Sequence, residues 1–277
     1  MKPVFCLIIF IMIVNNSFSQ SVQRSSSQPA IVLVHGAWFG SFAWHKAIPL
    51  LKQKGYRVSA PDLPGYGDDS VNAPQYTLAD YVNVVVTNAN QLPGKVILLG
   101  HSMGGAVISQ AAEVLGADKV SKLIYLDAFL LKNGESIFDQ VAHITKAAET
   151  AQPKLPDMEP DFLVFSDDKK LVNVSADRKR QVFCHDCPDD DLALLKTHSR
   201  WQPVAVLAAP IQVTGPRYGA ISKYYIHCTA SRDLDRRSIL NNMPVKKVVK
   251  LTSSHSPFFS MPDKLVEAID DIVKDPV

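Results

Sequence analysis

Short apolar runs alternate with longer stretches of helical periodicity along most of the chain. Ala30–His35 (A-I-V-L-V-H), Tyr56–Ala60, Lys95–Gly100 (K-V-I-L-L-G), Lys122–Asp127 (K-L-I-Y-L-D), Lys223–Cys228 and Lys246–Leu251 read as strands. Ala43–Lys54, Thr77–Gln91, Gly104–Leu115 and Pro262–Val273 read as helices, and Thr77 with Asp80 resembles a capping box opening the second. Strands that are apolar at consecutive positions bury both faces. With helices between them, they predict a mostly parallel central sheet with helices on both sides, an α/β fold. The rhythm breaks between about 131 and 209, where prolines recur at 153, 156, 160, 188 and 203. A small hairpin, Phe162–Phe165 with Leu171–Val174, is expected there, and the stretch reads as a cap inserted between strands.

Composition excludes two classes. With 277 residues, 47% of them apolar, the chain is no disordered polymer. Its 29 basic and 27 acidic residues nearly cancel, so it lacks the basic excess that a nucleic-acid partner requires. Part of the apolar weight lies at the N-terminus. Lys2, the run Val4–Val14 and the small residues Ser17 and Ser19 fit a secretory signal peptide over 1–19. That run is too short for a bilayer core, which needs roughly 20 residues. Residues 20–29 then form a flexible lead-in and 30–277 the folded domain. The mature chain is expected to be secreted or periplasmic, with no membrane partner after signal removal. Composition leaves its oligomeric state open.

Export permits disulfides. Cys184-His185-Asp186-Cys187 is a C-x-x-C without the second ligand pair a zinc site needs. A local disulfide, or two unpaired cap thiols, is the expected state, with no metal.

The chemistry centres on Gly100-His101-Ser102-Met103-Gly104-Gly105, a G-x-S-x-G between an expected strand and an expected helix. That context makes a sharp turn which lifts a serine hydroxyl above the sheet at a helix N-terminus, where negative charge is favoured. Ser102 is the candidate nucleophile. Of the eight histidines, His255 lies in the loop between the last strand and the final helix, where the base of such a serine is expected. Two backbone N–H groups should form the oxyanion hole: Met103, next to the nucleophile, and Ala37, in the glycine-containing loop His35–Gly40. Trp38 and Phe39 in that loop are candidates to line the substrate site.

These segments, together with A-P-D-L-P-G-Y-G, Y-L-D-A-F, H-C-T and S-S-H-S-P-F-F-S, resemble the α/β-hydrolase family. That family contains EstC-like bacterial esterases, and plant methylesterases and hydroxynitrile lyases belong to the same wider group. The resemblance runs from about Ala30 to the C-terminus and implies an α/β-hydrolase fold with an inserted cap. It assigns the nucleophile to Ser102, the base to His255 and the oxyanion donors to Ala37 and Met103, with no cofactor or metal. The lyases carry a threonine at Gly36 and a lysine at Ser256, so an esterase is implied.

The acid is harder to place. Family members put an aspartate two or three residues past the threonine of H-C-T, but this chain has Ser231 and Arg232 there. Asp233 is the first candidate, Asp127 at the end of its strand the second, and Asp235 the third. The reading is a serine carboxylesterase acting on small to medium hydrophobic esters. Its rivals are a ligand-binding protein on a hydrolase scaffold and a hydroxynitrile lyase.

Overall fold

The computed structural model describes residues 28–68, 75–150, 162–241 and 243–276, apart from the side chains of 148, 150 and 241. The expected signal peptide and most of the lead-in lie outside these residues. Six strands form one wholly parallel sheet: β1 (Ala30–Val34), β2 (Arg57–Ser59), β3 (Val96–His101), β4 (Val120–Leu126), β8 (Ser222–Cys228) and β9 (Lys247–Leu251). Their order across the sheet is β2-β1-β3-β4-β8-β9.

The continuous apolar runs have a direct cause. Side chains alternate between faces along a strand, and both faces are covered. Ala30, Val32, Val34 and Leu98 enter one buried cluster, whereas Ile31, Leu33, Ile97 and Leu99 enter the other. The edge strand β9 keeps only its last residue buried and carries Lys247 and Lys250, a charge pattern that discourages further pairing.

Helices α1 (Ala47–Gln53), α2 (Leu78–Gln91), α3 (Gly104–Lys119) and α9 (Pro262–Lys274) cover the sheet, with a short α8 (Pro257–Ser260) before α9. Thr77 and Asp80 form the capping box of α2 in both directions. The helix expected over Ala43–Lys54 divides into a 3-10 turn, Ser41–Trp44, followed by α1. Pro49 accounts for the division: it lacks an N–H and is tolerated only in a helix's first turn, so α1 starts just before it.

Between β4 and β8 lie α4 (Ile137–Thr150), α5 (Lys179–Phe183), α6 (Asp189–His198), α7 (Val204–Ala208) and a small antiparallel sheet of β5 (Leu163–Phe165), β6 (Leu171–Val174) and β7 (Gln202–Pro203). β5 and β6 are the expected hairpin. Cys184 and Cys187 are joined as a disulfide, while Cys228 is free and buried. Among the described residues, no helix is long and apolar enough to cross a membrane.

Candidate active site

The turn from β3 into α3 is tight enough to dictate its sequence. A Cβ at Gly100 would lie 2.4 Å from the Gly104 carbonyl oxygen. One at Gly105 would lie 2.2 Å from that of Phe129. Side chains at either position would drive the helix off the sheet. Ser102 sits between them at φ 53°, a left-handed conformation costly for serine. Its N–H donates to the Leu126 carbonyl at 3.2 Å, and its own carbonyl accepts from Gly105 and Phe129. These bonds hold the strained residue against the end of β4, and α3 begins two residues later.

The loop after β1 approaches from the other side. A Cβ at Gly36 would stand 2.8 Å from Ser102 Cβ and 2.9 Å from His101 Nδ1, so only glycine fits. His35 fixes this loop: Nδ1–H donates to the Gly36 carbonyl at 2.9 Å, and Nε2 accepts from the Leu63 N–H at 3.1 Å. Trp38, at φ 66°, donates its backbone N–H to Tyr66 Oη and its indole N–H to the Val172 carbonyl of β6. Among the described residues, neither the Ala37 nor the Met103 N–H is engaged by another protein group. Both remain available as oxyanion donors.

Burial pushes the His35 imidazole down to about 4, against an ordinary value near 6.5, so it is neutral in the folded protein at pH 7. Between these values the unfolded chain binds a proton that the folded chain refuses. Stability is therefore full above about pH 6.5 and falls as pH drops toward 4, by about 3 kcal/mol from this residue. The urea midpoint is expected to be clearly lower at pH 4.5 than at pH 7, and His35→Gln should reduce the difference, leaving the part due to His101 and His227. An unchanged pH dependence in the variant would assign the loss to other groups.

His255 is wholly buried, and its Nδ1–H donates to Asp127 Oδ2 at 2.7 Å. Asp127 follows β4 at φ 44° with its N–H bonded to the Ile226 carbonyl, and its Oδ1 accepts from Cys228 N–H at 3.1 Å. The loop after β4 thus aims a carboxylate at the base. With the proton held on Nδ1, the Nε2 lone pair is bare, and Nε2 has no hydrogen-bond partner among the described residues. His101 packs its ring 4.4 Å from that of His255 and donates Nε2–H to the His255 carbonyl at 3.0 Å. Burial, and then the neighbouring His255, hold His101 well below the usual histidine range. It is a neutral prop.

The first acid candidate stands elsewhere. Asp233 Oδ2 is 3.6 Å from His255 Nε2, beyond hydrogen-bond range, and both its oxygens are taken by the Arg236 guanidinium. Ser231, at the position where the family resemblance calls for an acid, donates its hydroxyl to Asp233 at 2.6 Å. Asp235 pairs with Arg237 instead of the histidine. The carboxylate on Nδ1 is therefore that of Asp127, the second candidate. Asp127, Asp233 and His255 offer donor atoms within 4.8 Å of one another, a spacing that could suit a cation. Arg236 already supplies a positive charge there, 3.2 Å from Asp127, and would repel a metal ion.

Phe39 is also relocated. It is fully buried, edge-on to His101, Phe183 and Phe258, and belongs to the packing beneath the loop. Trp38 is half-buried against Phe183, whose ring also lies 5.8 Å from that of His255. Sequence reasoning missed Phe183, because an apolar residue before C-x-x-C carries no signal of its destination. A cavity of about 570 Å³ lies among Arg57, Pro93, Lys95 and Lys122, near the N-terminal ends of the strands. Ligands of open α/β sheets bind at the carboxyl ends, where Ser102, Asp127 and His255 converge.

A model of the Alpha/beta hydrolase family matches residues 31–268. The putative chloroplastic methylesterase 11 of Arabidopsis thaliana is 30% identical over 253 residues, which cover 88% of this chain and 63% of that protein. The chain likewise spans 64% of the putative chloroplastic methylesterase 13 of the same plant. The pyrethroid hydrolase of Sphingobium wenxiniae is 30% identical over 253 residues, covering 89% of this chain and 88% of that one. The crystal structure of a pyrethroid hydrolase from Sphingobium faniae JZ-2 is similar with a TM-score of 0.76 at 30% identity, over 90% and 98% of the two chains.

Proposed function

Since the chain belongs to the Alpha/beta hydrolase family, we propose that it is a serine carboxylesterase acting on small to medium hydrophobic esters. The buried Asp127–His255 pair and the strained Ser102, all following the carboxyl ends of strands of one parallel sheet, carry this reading. Ser102 Oγ attacks the ester carbonyl while His255 Nε2 takes its proton, and Asp127 stabilises the imidazolium that forms. The Ala37 and Met103 N–H groups receive the oxyanion. His255 then returns the proton to the departing alcohol. Water, deprotonated by the same Nε2, releases the acid and regenerates Ser102. Trp38, half-buried against Phe183, gives the acyl or alcohol side an apolar wall. The names of the relatives, a putative methylesterase and a pyrethroid hydrolase, support the reaction class.

Gly36 and Ser256 speak against cyanohydrin cleavage. A threonine at 36 has no room beside Ser102, and Ser256, fully buried, brings no ammonium to receive cyanide. Export remains part of the proposal, supported by the N-terminal apolar run and by a disulfide suited to an oxidising compartment.

The test is a panel of p-nitrophenyl and methyl esters of graded acyl size, run beside labelling with a fluorophosphonate. Stoichiometric labelling and turnover are expected, with no enzyme-dependent cyanide from mandelonitrile. An unlabelled serine would favour a binding protein on a hydrolase scaffold, and rapid cyanide release would favour a lyase.

A further inference from the structure

The loop after β8 contains a buried charge that the ester chemistry does not itself require. Arg236 has a side chain only 1% exposed and grips Asp233 with both ends of its guanidinium, while Nη1 also lies 3.2 Å from Asp127 Oδ2. His255 consequently faces one carboxylate through each ring nitrogen, Asp127 on Nδ1 and Asp233 beyond Nε2, with a single guanidinium between them. We propose that Arg236 is a positioning residue that cancels one of the two carboxylates, so that His255 works against one net negative charge held on its Nδ1 side.

The geometry explains why both parts are present. Without Arg236, two buried carboxylates would flank one imidazole, overstabilising the imidazolium and leaving a charge unpaired in a dry site. Without Asp233, the guanidinium would bear on Asp127 alone and compete with the histidine for its oxygen. Burial alone would raise Asp233, but Arg236 and then His255 outweigh it and hold the carboxyl below the usual range. Burial disfavours the Arg236 charge, yet Asp127 and Asp233 together raise it above the ordinary arginine value. Asp233 and Arg236 therefore both stay ionised.

The other groups around the histidine are neutral, solvent-exposed or ion-paired. His101 packs on the ring from the β3 turn and is held neutral by burial. From β8, burial keeps Tyr225 and Cys228 protonated and lowers His227. Between β4 and β8, Phe183 meets the ring, and the exposed Asp186 accepts from the Ser254 N–H at 2.8 Å. Asp235 is neutralised by Arg237.

The proposal rests on His255 being the base, and its readout is the protonation of that ring. It is followed both as the acidic limb of kcat/KM on p-nitrophenyl acetate and by NMR titration of the His255 imidazole, which needs no turnover. Asp233→Asn removes a negative charge and should lower the His255 midpoint by about one unit, while Arg236→Met should raise it by about as much. The double variant Asp233→Asn/Arg236→Met restores one net negative charge and should return the midpoint to within about 0.3 units of the original. A scaffold role alone would reduce activity and leave the midpoint in place. An unmoved midpoint in Asp233→Asn, or a double variant that fails to return, overturns the proposal. Should Arg236→Met fail to fold, those two variants still decide. A wild-type chain without turnover, whose NMR midpoints nevertheless follow this order, would sink the esterase reading and leave the charge balance standing.

Discussion

Asp127→Asn is expected to lower kcat on p-nitrophenyl acetate by about 10,000-fold, with KM within about threefold. The carboxylate fixes the tautomer: it accepts only, so the Nδ1 that faces it must carry the proton. An asparagine amide can turn its NH2 toward Nδ1 and favour the opposite tautomer, which leaves Nε2 protonated and unable to take a proton from Ser102. It also withdraws the charge that stabilises imidazolium. Asp233→Asn should cost no more than about tenfold, because Asp233 lies 3.6 Å from the ring and its oxygens are committed to Arg236 and Ser231. A collapse in Asp233→Asn with Asp127→Asn spared would return the acid to the loop after β8.

The reason the sequence ranked these aspartates in the other order is physical. Both follow Ser102 and precede His255, both lie in a loop that follows a parallel strand, and chain order admits either. Their separation depends on Arg236, three residues past Asp233, folding back to take both of its oxygens. No periodicity or spacing encodes that choice, although the charge-dense R-D-L-D-R-R run marks a loop of paired ions. The sheet, by contrast, was legible because burial on both faces writes itself as consecutive apolar residues. The hairpin was legible from two short apolar runs and the S-D-D-K-K turn between them, whose Ser166 and Asp168 do bond to each other. The serine turn was legible because each of its glycines is forced by a backbone within about 3 Å. Phe39 misled for the same reason that it matters: an aromatic next to an oxyanion loop can face either the ligand or the core, and only the packing of Phe183 and Phe258 decides. What the chain specifies locally could be read, and what it specifies through meetings of distant loops could not.

Ser102→Ala is expected to abolish fluorophosphonate labelling and reduce kcat by about a millionfold, while the protein stays folded. The substitution is gentle to the structure. Alanine keeps the Cβ that Gly36 accommodates, and the backbone bonds to Leu126, Gly105 and Phe129 do not involve the hydroxyl. The left-handed strain at φ 53° is as costly for alanine as for serine, so thermal stability should change little. Any residual rate would come from the Ala37 and Met103 N–H groups acting on attack by bound water. The decisive arm is the double variant Ser102→Ala/Asp127→Asn. If Asp127 acts only through His255 on Ser102, its removal should cost almost nothing further once the nucleophile is gone, because members of one catalytic unit are strongly non-additive. A second, full-sized loss in the double variant would mean that Asp127 serves the reaction by a route independent of Ser102. It would then have to be assigned to direct activation of water through His255.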